Sequence, residues 1–267
     1  MMFLLVACEG IPMSTAEVLE ALDEAHSSAR GEELVADPIE VDTDFTIGAA
    51  VEEAAEELRA WWASQAPCAT VTVALGTVTV DFGELGDACV YNGHTWAGVA
   101  MATVTATELG SLEVEHDWTG LGDEEIVVDG GATVTWSGED LTRNVVTDHT
   151  WSTRDGEVSV DVTGDHTQGL LDEAGFLAGG IWMEGTRAWT SESGSWTLDM
   201  ADLEIRRIDP VPQAGITTLT SPKGKNLDVT YTRLDTDTIQ IAVIGARHDL
   251  LFNVNALGVI EEATATP

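Results

Sequence analysis

Leu112-Glu113-Val114-Glu115-His116-Asp117-Trp118 is the stretch whose reading decides the fold. Leu112, Val114, His116 and Trp118 alternate with three acids, and residues two apart in a strand share a face. Such a segment is a strand with one buried and one solvated side, the pattern of an antiparallel sheet. Working outward, the same period-two alternation recurs at Gly98–Thr107, Ala132–Trp136, Val145–Thr153, Glu157–Thr163 and Trp182–Trp189. It continues at Trp196–Ile205, Leu227–Thr232, Thr238–Ile244 and Leu250–Val254. Asp129-Gly130, Asp155-Gly156 and Lys223-Gly224 read as turns between them. Leu170-Leu171-Asp172-Glu173-Ala174 interrupts the series as a helical turn or a loop. The expected architecture is a mainly β antiparallel meander forming an open or half-open barrel, with a two-sheet sandwich as the alternative.

The middle of the chain carries a loose repeat. Ala102-Thr-Val-Thr105 followed by His116-Asp-Trp118 is echoed by Ala132-Thr-Val-Thr135 and His149-Thr-Trp151. The two elements are offset by about 30 and about 33 residues, which suits a hairpin added in series.

Before Cys68 the period is helical. Ser14-Thr15-Ala16-Glu17 fits a capping box, and Val18, Leu22 and Ala25 follow at helical spacing, so a short amphipathic helix to about Ala29 is expected. Gly31 to Asp44, acidic and containing Pro38, reads as a linker or a peripheral strand. A second helix is expected from about Gly48 to Ser64, with Val51, Ala55, Leu58 and Trp62 on one face and Glu52, Glu53, Glu56 and Glu57 largely on the other. Pro67 ends it.

Composition sets the partners. Asp+Glu 47 against Lys+Arg 11 gives a formal net charge of −36 over 267 residues. Nucleic-acid binding rests on cationic side chains displacing counterions, so this surface excludes it. Anionic headgroups are repelled for the same reason, and membrane attachment has to come from something other than basic residues. The acidity serves solubility, or adaptation to salt or divalent cations; weak calcium binding at the acidic surface is one expectation. Asp42-Thr-Asp44 and Asp235-Thr-Asp237 resemble the opening of calcium loops without the glycine and distal Glu that complete one. No other cofactor and no metal site is expected.

The chain opens Met1-Met2-Phe3-Leu4-Leu5-Val6-Ala7-Cys8. Leu5-Val6-Ala7-Cys8 resembles a bacterial lipobox, which implies lipidation at Cys8, export, and anchoring to the cell envelope on the periplasmic face or at the outer membrane. The apolar run is short and lacks a basic residue before it, so the true start is expected upstream. With Cys8 assigned, Cys68 and Cys89 remain as a pair in an oxidising compartment. The segment between them reads as two strands turning near Gly76.

The division expected is 1–8 as signal and lipobox, 9–47 as an acidic helix and linker, 48–260 as a helix plus the β domain, and 261–267 as a tail.

One motif could carry function. His-x-Trp occurs as His94-Thr-Trp96, His116-Asp-Trp118 and His149-Thr-Trp151, with echoes in His166-Thr-Gln168 and Arg187-Ala-Trp189. In a strand each imidazole stands beside its indole. Either the Trp rings fill the core while His reaches a polar partner, or the rings line a cleft for a glycan or a lipid. The chain holds no GxSxG elbow, Walker A loop, GxGxxG or HExxH. The expectation is a non-catalytic binding or structural module of the envelope. A carrier or binder of lipid or glycan in a Trp-lined cleft is the alternative, and a hydrolase with unmarked acidic residues the second. In pairing an anchor with an open β-barrel, the carrier version resembles the outer-membrane lipoprotein receptor class. Oligomeric state has no signature in the sequence.

Overall fold

The computed structural model describes residues 12–44, 51–91, 93–106, 112–137, 142–171, 179–206 and 208–265. Cys8 and Asp172–Ala174 lie outside them. Two helices precede a single sheet: α1 (Thr15–Asp44) and α2 (Val51–Gln65). The strands are β1 (Thr70–Ala74), β2 (Thr77–Asp81), β3 (Cys89–Tyr91), β4 (His94–Ala106), β5 (Leu112–Gly122), β6 (Ile126–Ser137), β7 (Thr142–Thr153) and β8 (Ser159–Leu170). They continue as β9 (Ile181–Ser191), β10 (Gly194–Ile205), β11 (Ala214–Thr220), β12 (Asn226–Arg233), β13 (Thr238–Ile244), β14 (Leu250–Asn255) and β15 (Ile260–Ala265).

Every neighbour on the main path is antiparallel and sequential, β1-β2-β4 through β15, with β3 pairing on the free stretch of β4. The sheet is an open meander: β1 and β15 stand at its two edges and do not pair with each other. One sheet, not two, sets the sandwich aside. Sequence alternation identified most of its strands, but the segment 261–267 does not read as a tail, because β15 runs to Ala265 against β14.

Alternation works as the pleat requires. On β7, Arg143, Val145, Thr147, His149 and Trp151 are buried while Val146 and Asp148 are exposed. The outward face is laced by polar cross-strand pairs, among them Thr150 Oγ1 to Asp161 Oδ1 at 2.6 Å and Thr218 Oγ1 to Asp228 Oδ1 at 2.7 Å. The repeat corresponds to the hairpins β4–β5 and β6–β7, but the second has slid. His116 faces Ala102, whereas His149 faces Gly130, two residues short of Ala132. A slip of two keeps every side chain on its own face.

Asp129-Gly130 corrects the sequence reading, since it lies inside β6 and makes no turn. Opposite it the β5–β6 register shifts between Trp118 and Leu121, and Asp129 Oδ1 accepts the Gly120 N–H at 2.7 Å. The pair builds a bulge. At Leu75-Gly76 both residues take positive φ (52° and 80°), the geometry of a tight hairpin turn between β1 and β2.

The larger correction concerns residues 31–44. They are neither linker nor strand but the second half of α1, which runs through Pro38. Its capping box forms as expected, with Ser14 N donating to Glu17 Oε2 at 2.8 Å. Beyond Ala29 the helix persists because its stripe continues: Val18, Ala21, Ser28, Gly31, Val35 and Ile39 are buried, and Ala25 and Leu34 are packed against the same core. Burial of that stripe on the sheet outweighs the one backbone hydrogen bond that Pro38 cannot donate. α2 behaves as read, burying Ala55, Leu58 and Trp62 and exposing Glu56 and Glu57.

α1 crosses the sheet along one end of the strands, here the lower end. Met13 N bonds Gly245 O at 2.9 Å beyond β13; Glu17 meets Lys225 before β12; Glu24 accepts from Ser191 at the end of β9; Glu32 pairs with Arg187 on β9; Arg30 reaches Glu125 before β6. Lys225 and the Ser14 cap together hold the Glu17 carboxyl down to about 2. The expected disulfide joins Cys68 and Cys89 with Cα atoms 5.3 Å apart, tying the end of α2 to β3 beside a cluster of Trp61, Trp62, Phe82, Tyr91 and Trp96.

Candidate functional site

The sheet separates the six candidate rings into two groups. His116, Trp118, His149 and Trp151 belong to β5 and β7 and stand on the inner face, at 5%, 2%, 2% and 1% exposure. Trp118 packs edge-on against His149 and tilted beside His116, each at 6.2 Å between ring centroids. α1 closes over them. A Cβ on Gly31 would sit 2.8 Å from Trp151 Cδ1 and 3.0 Å from His149 Nε2, so only glycine lets the helix backbone approach this closely. Arg30 lies over the Trp151 ring at 5.4 Å. These rings make a packed interior.

That interior is polar at its atoms. Among the described residues, both ring nitrogens of His149, the indole N–H groups of Trp118 and Trp151, and Thr147 Oγ1 have no hydrogen-bond partner. Burial lowers the His149 pKa, opposed by Glu32 and Asp148 and reinforced by Arg187. His166 is lowered by burial in the same way, and its Nε2 meets Gln168 Nε2 at 2.8 Å, while Gln168 Oε1 accepts from Arg143. The neutral imidazole is the favoured form at both positions.

His94 and Trp96 lead elsewhere. They stand at the start of β4, His94 exposed and Trp96 only 3% exposed, and line a cleft of about 250 Å³. Its walls come from three elements: Arg30, Glu33 and Leu34 on α1, His94 and Trp96 on β4, and Asp123, Glu125 and Ile126 at the β5–β6 turn. The His94 side chain is 61% exposed, with Nδ1 3.7 Å from Asp123 Oδ2. Asp123 is fixed by its other oxygen, which accepts the Glu125 and Ile126 N–H groups at 2.8 and 3.0 Å. Trp96 is held from behind by Phe82 and Tyr91, and its Nε1 donates to Tyr91 O at 3.0 Å. The arrangement offers a small apolar floor, chiefly Leu34, since Trp96 and Ile126 are only 3% and 4% exposed, and a polar rim able both to donate and to accept.

Reading the sequence for strands found His94 and Trp96 but not Arg30, Glu33, Leu34, Asp123 or Glu125. The α1 residues were hidden by ending that helix at Ala29. The stripe from Val18 through Ser28 to Val35 and Ile39 was the available signal. Among the described residues no group of three or more His, Cys, Asp or Glu is placed to hold a metal ion. Asp235 of the Asp235-Thr-Asp237 triplet is occupied as a turn cap, its Oδ1 accepting the Asp237 N–H at 2.9 Å. No family model, curated protein or solved structure matches this chain.

Proposed function

We propose that this chain is a non-catalytic, lipid-anchored protein of the cell envelope that binds a small saccharide in the cleft between α1 and the start of β4. The carrying observation is that cleft: a rim of guanidinium, imidazole and carboxylates converging on a single concavity over aliphatic Leu34, with Trp96 and Ile126 largely buried beneath at 3% and 4% exposure. Sugars present an apolar ring face and a girdle of hydroxyls, which is the complement of such a lining. A saccharide is favoured over a lipid by size. About 250 Å³ falls below the roughly 300–1,000 Å³ of sites for drug-sized ligands, and the rings that would line an acyl tunnel, Trp118 and Trp151, are packed beneath α1. For the address, support comes from the lipobox at Leu5-Val6-Ala7-Cys8 and from the pairing of the other two cysteines.

Saturation-transfer NMR with a panel of neutral, amino and acidic monosaccharides tests the site. At least one sugar should saturate, and the exposed double substitution Glu33→Ala/His94→Ala should remove the signal with the melt unchanged. Failure of every sugar at millimolar concentration, or binding indifferent to the double substitution, refutes it. The address is tested by Cys8→Ser, which should move the protein from the membrane to the soluble fraction of an exporting host; continued membrane partitioning refutes lipidation there.

A further inference from the structure

The sheet treats its two edges differently. By sequence β15 reads Ile260-Glu-Glu-Ala-Thr-Ala265, and its register on β14 shifts between Asn253 and Val254. Acidic residues and a bulge are both devices that keep an edge from adding another strand. β1 has neither. It reads Thr70-Val-Thr-Val-Ala74, without charge or proline, and meets β2 in unbroken register. The hairpin fixes which of its backbone groups are on offer. Ala74 and Thr77 flank the two-residue turn and exchange hydrogen bonds, as do Thr72 with Thr79 and Thr70 with Asp81. The N–H and C=O groups of Val71 and Val73 point the other way, and among the described residues no strand lies beyond them. Donors and acceptors at alternate positions are the template for another strand.

The template is self-complementary. Set antiparallel against a second β1, Val71 of each copy falls opposite Val73 of the other, and both N–H groups of each find a carbonyl. Thr72 then faces its own counterpart on the two-fold axis, in a pair without backbone hydrogen bonds, where side chains come closest. The sheet already holds such a pair: Thr77 faces Thr103 with their Oγ1 atoms 2.9 Å apart. A second observation points to the same edge. Leu75, the next residue after β1, is 103% exposed and holds a φ of 52°. That turn position favours Asn, Asp or Gly, and leucine is strained there. An aliphatic side chain kept wholly in solvent at a strained position does nothing for the hairpin. In the paired register it lies opposite Ala69 of the second copy. We propose that β1 is a homodimerisation edge, two copies pairing β1 antiparallel to β1 about Thr72 to continue one sheet across a two-fold axis. Charge favours this place. Each copy carries a formal −36, so copies repel, while Thr70–Gly76 adds no charge of its own. A strand of five residues buries little area, so the association is of the weak class and tightens as salt screens the repulsion.

Full-length protein carrying Cys8→Ser, free of any acyl chain and of that thiol, is the material for the test. Sedimentation from about 1 µM to about 1 mM should show a monomer–dimer equilibrium that tightens with added salt. Thr72→Lys sets two like charges face to face and should raise the dissociation constant at least tenfold with the melt unchanged. Leu75→Asn should weaken the dimer while raising the melting temperature, because it relieves the turn. Thr72→Cys reads the register. Its two thiols meet on the axis, and oxidised glutathione should convert them to a covalent dimer. In Thr70→Cys the thiols lie four residues apart along the paired strands and should cross-link at least tenfold more slowly. A parent that stays monomeric, a dimer indifferent to Thr72→Lys or to Leu75→Asn, one that loosens with salt, or equal cross-linking of the two cysteine variants overturns the proposal. So does open-ended association, which would pair β1 with β15 instead.

Discussion

His94-Thr-Trp96 and His149-Thr-Trp151 are the same three-residue phrase on strands of the same sheet, yet one imidazole is open to solvent and the other is sealed. What separates them is α1. Its backbone lies on His149 at Gly31, and its side chains Arg30, Glu33 and Leu34 only border His94. A motif therefore has no fate of its own in a sheet with one face available. The element laid across that face decides which imidazoles are sealed and which stay open.

The comparison breaks most visibly if the sealed copy can be removed cheaply. Trp151→Ala deletes a ring at 1% exposure and should cost about 3–5 kcal/mol, as large-to-small core substitutions do. Equilibrium denaturation would show it, and a loss under 1 kcal/mol would mean that the helix does not seal this site. Next in size is Gly31→Leu. The Cβ alone meets Trp151 at 2.8 Å and His149 at 3.0 Å, and overpacking of this kind costs about 1–3 kcal/mol; an unchanged melt would place α1 farther from the sheet.

A smaller effect comes from acid. The folded protein holds the His149 pKa below its ordinary 6.5 by burial, so below that pH the unfolded chain takes up a proton that the folded one resists. The stability tied to the neutral ring is complete above the ordinary value and is lost as pH falls toward the depressed one. Glu17, held to about 2, keeps its contribution through this range and loses it only below its ordinary 4.5. Melts between pH 7 and pH 5 should thus fall in the parent and fall less in His149→Gln; parallel curves would show that His149 accepts its proton without penalty. Least of all is His94→Ala, an exposed side chain whose removal should move stability by no more than about 0.5 kcal/mol. A larger loss would make the open copy structural too.

Period-two alternation made the meander legible because each strand buries one face only, and Val114, His116 and Trp118 announce which. The disulfide followed from counting cysteines once Cys8 was set aside. Three things were not legible. Asp-Gly is shared by turns and bulges, and at Asp129-Gly130 only the register of a neighbouring strand distinguishes them. Pro38 stops an isolated helix but not one whose stripe is buried on both sides of it. Last, the cleft joins side chains from α1, β4 and the β5–β6 turn, up to 96 positions apart from Arg30 to Ile126, and no local pattern spans such a distance.

The contact between Met13 and Gly245 also sets a clock. In this meander each strand needs only the one before it, so hairpins can close as they arrive. α1 is different: it is made before the sheet, and the residues that receive its beginning follow more than 200 positions later. At roughly 5–20 residues per second of synthesis, its apolar stripe waits on the order of 10–50 s for the last of its partners. Over that interval the apolar stripe stays uncovered wherever the strands it will pack on have yet to be made.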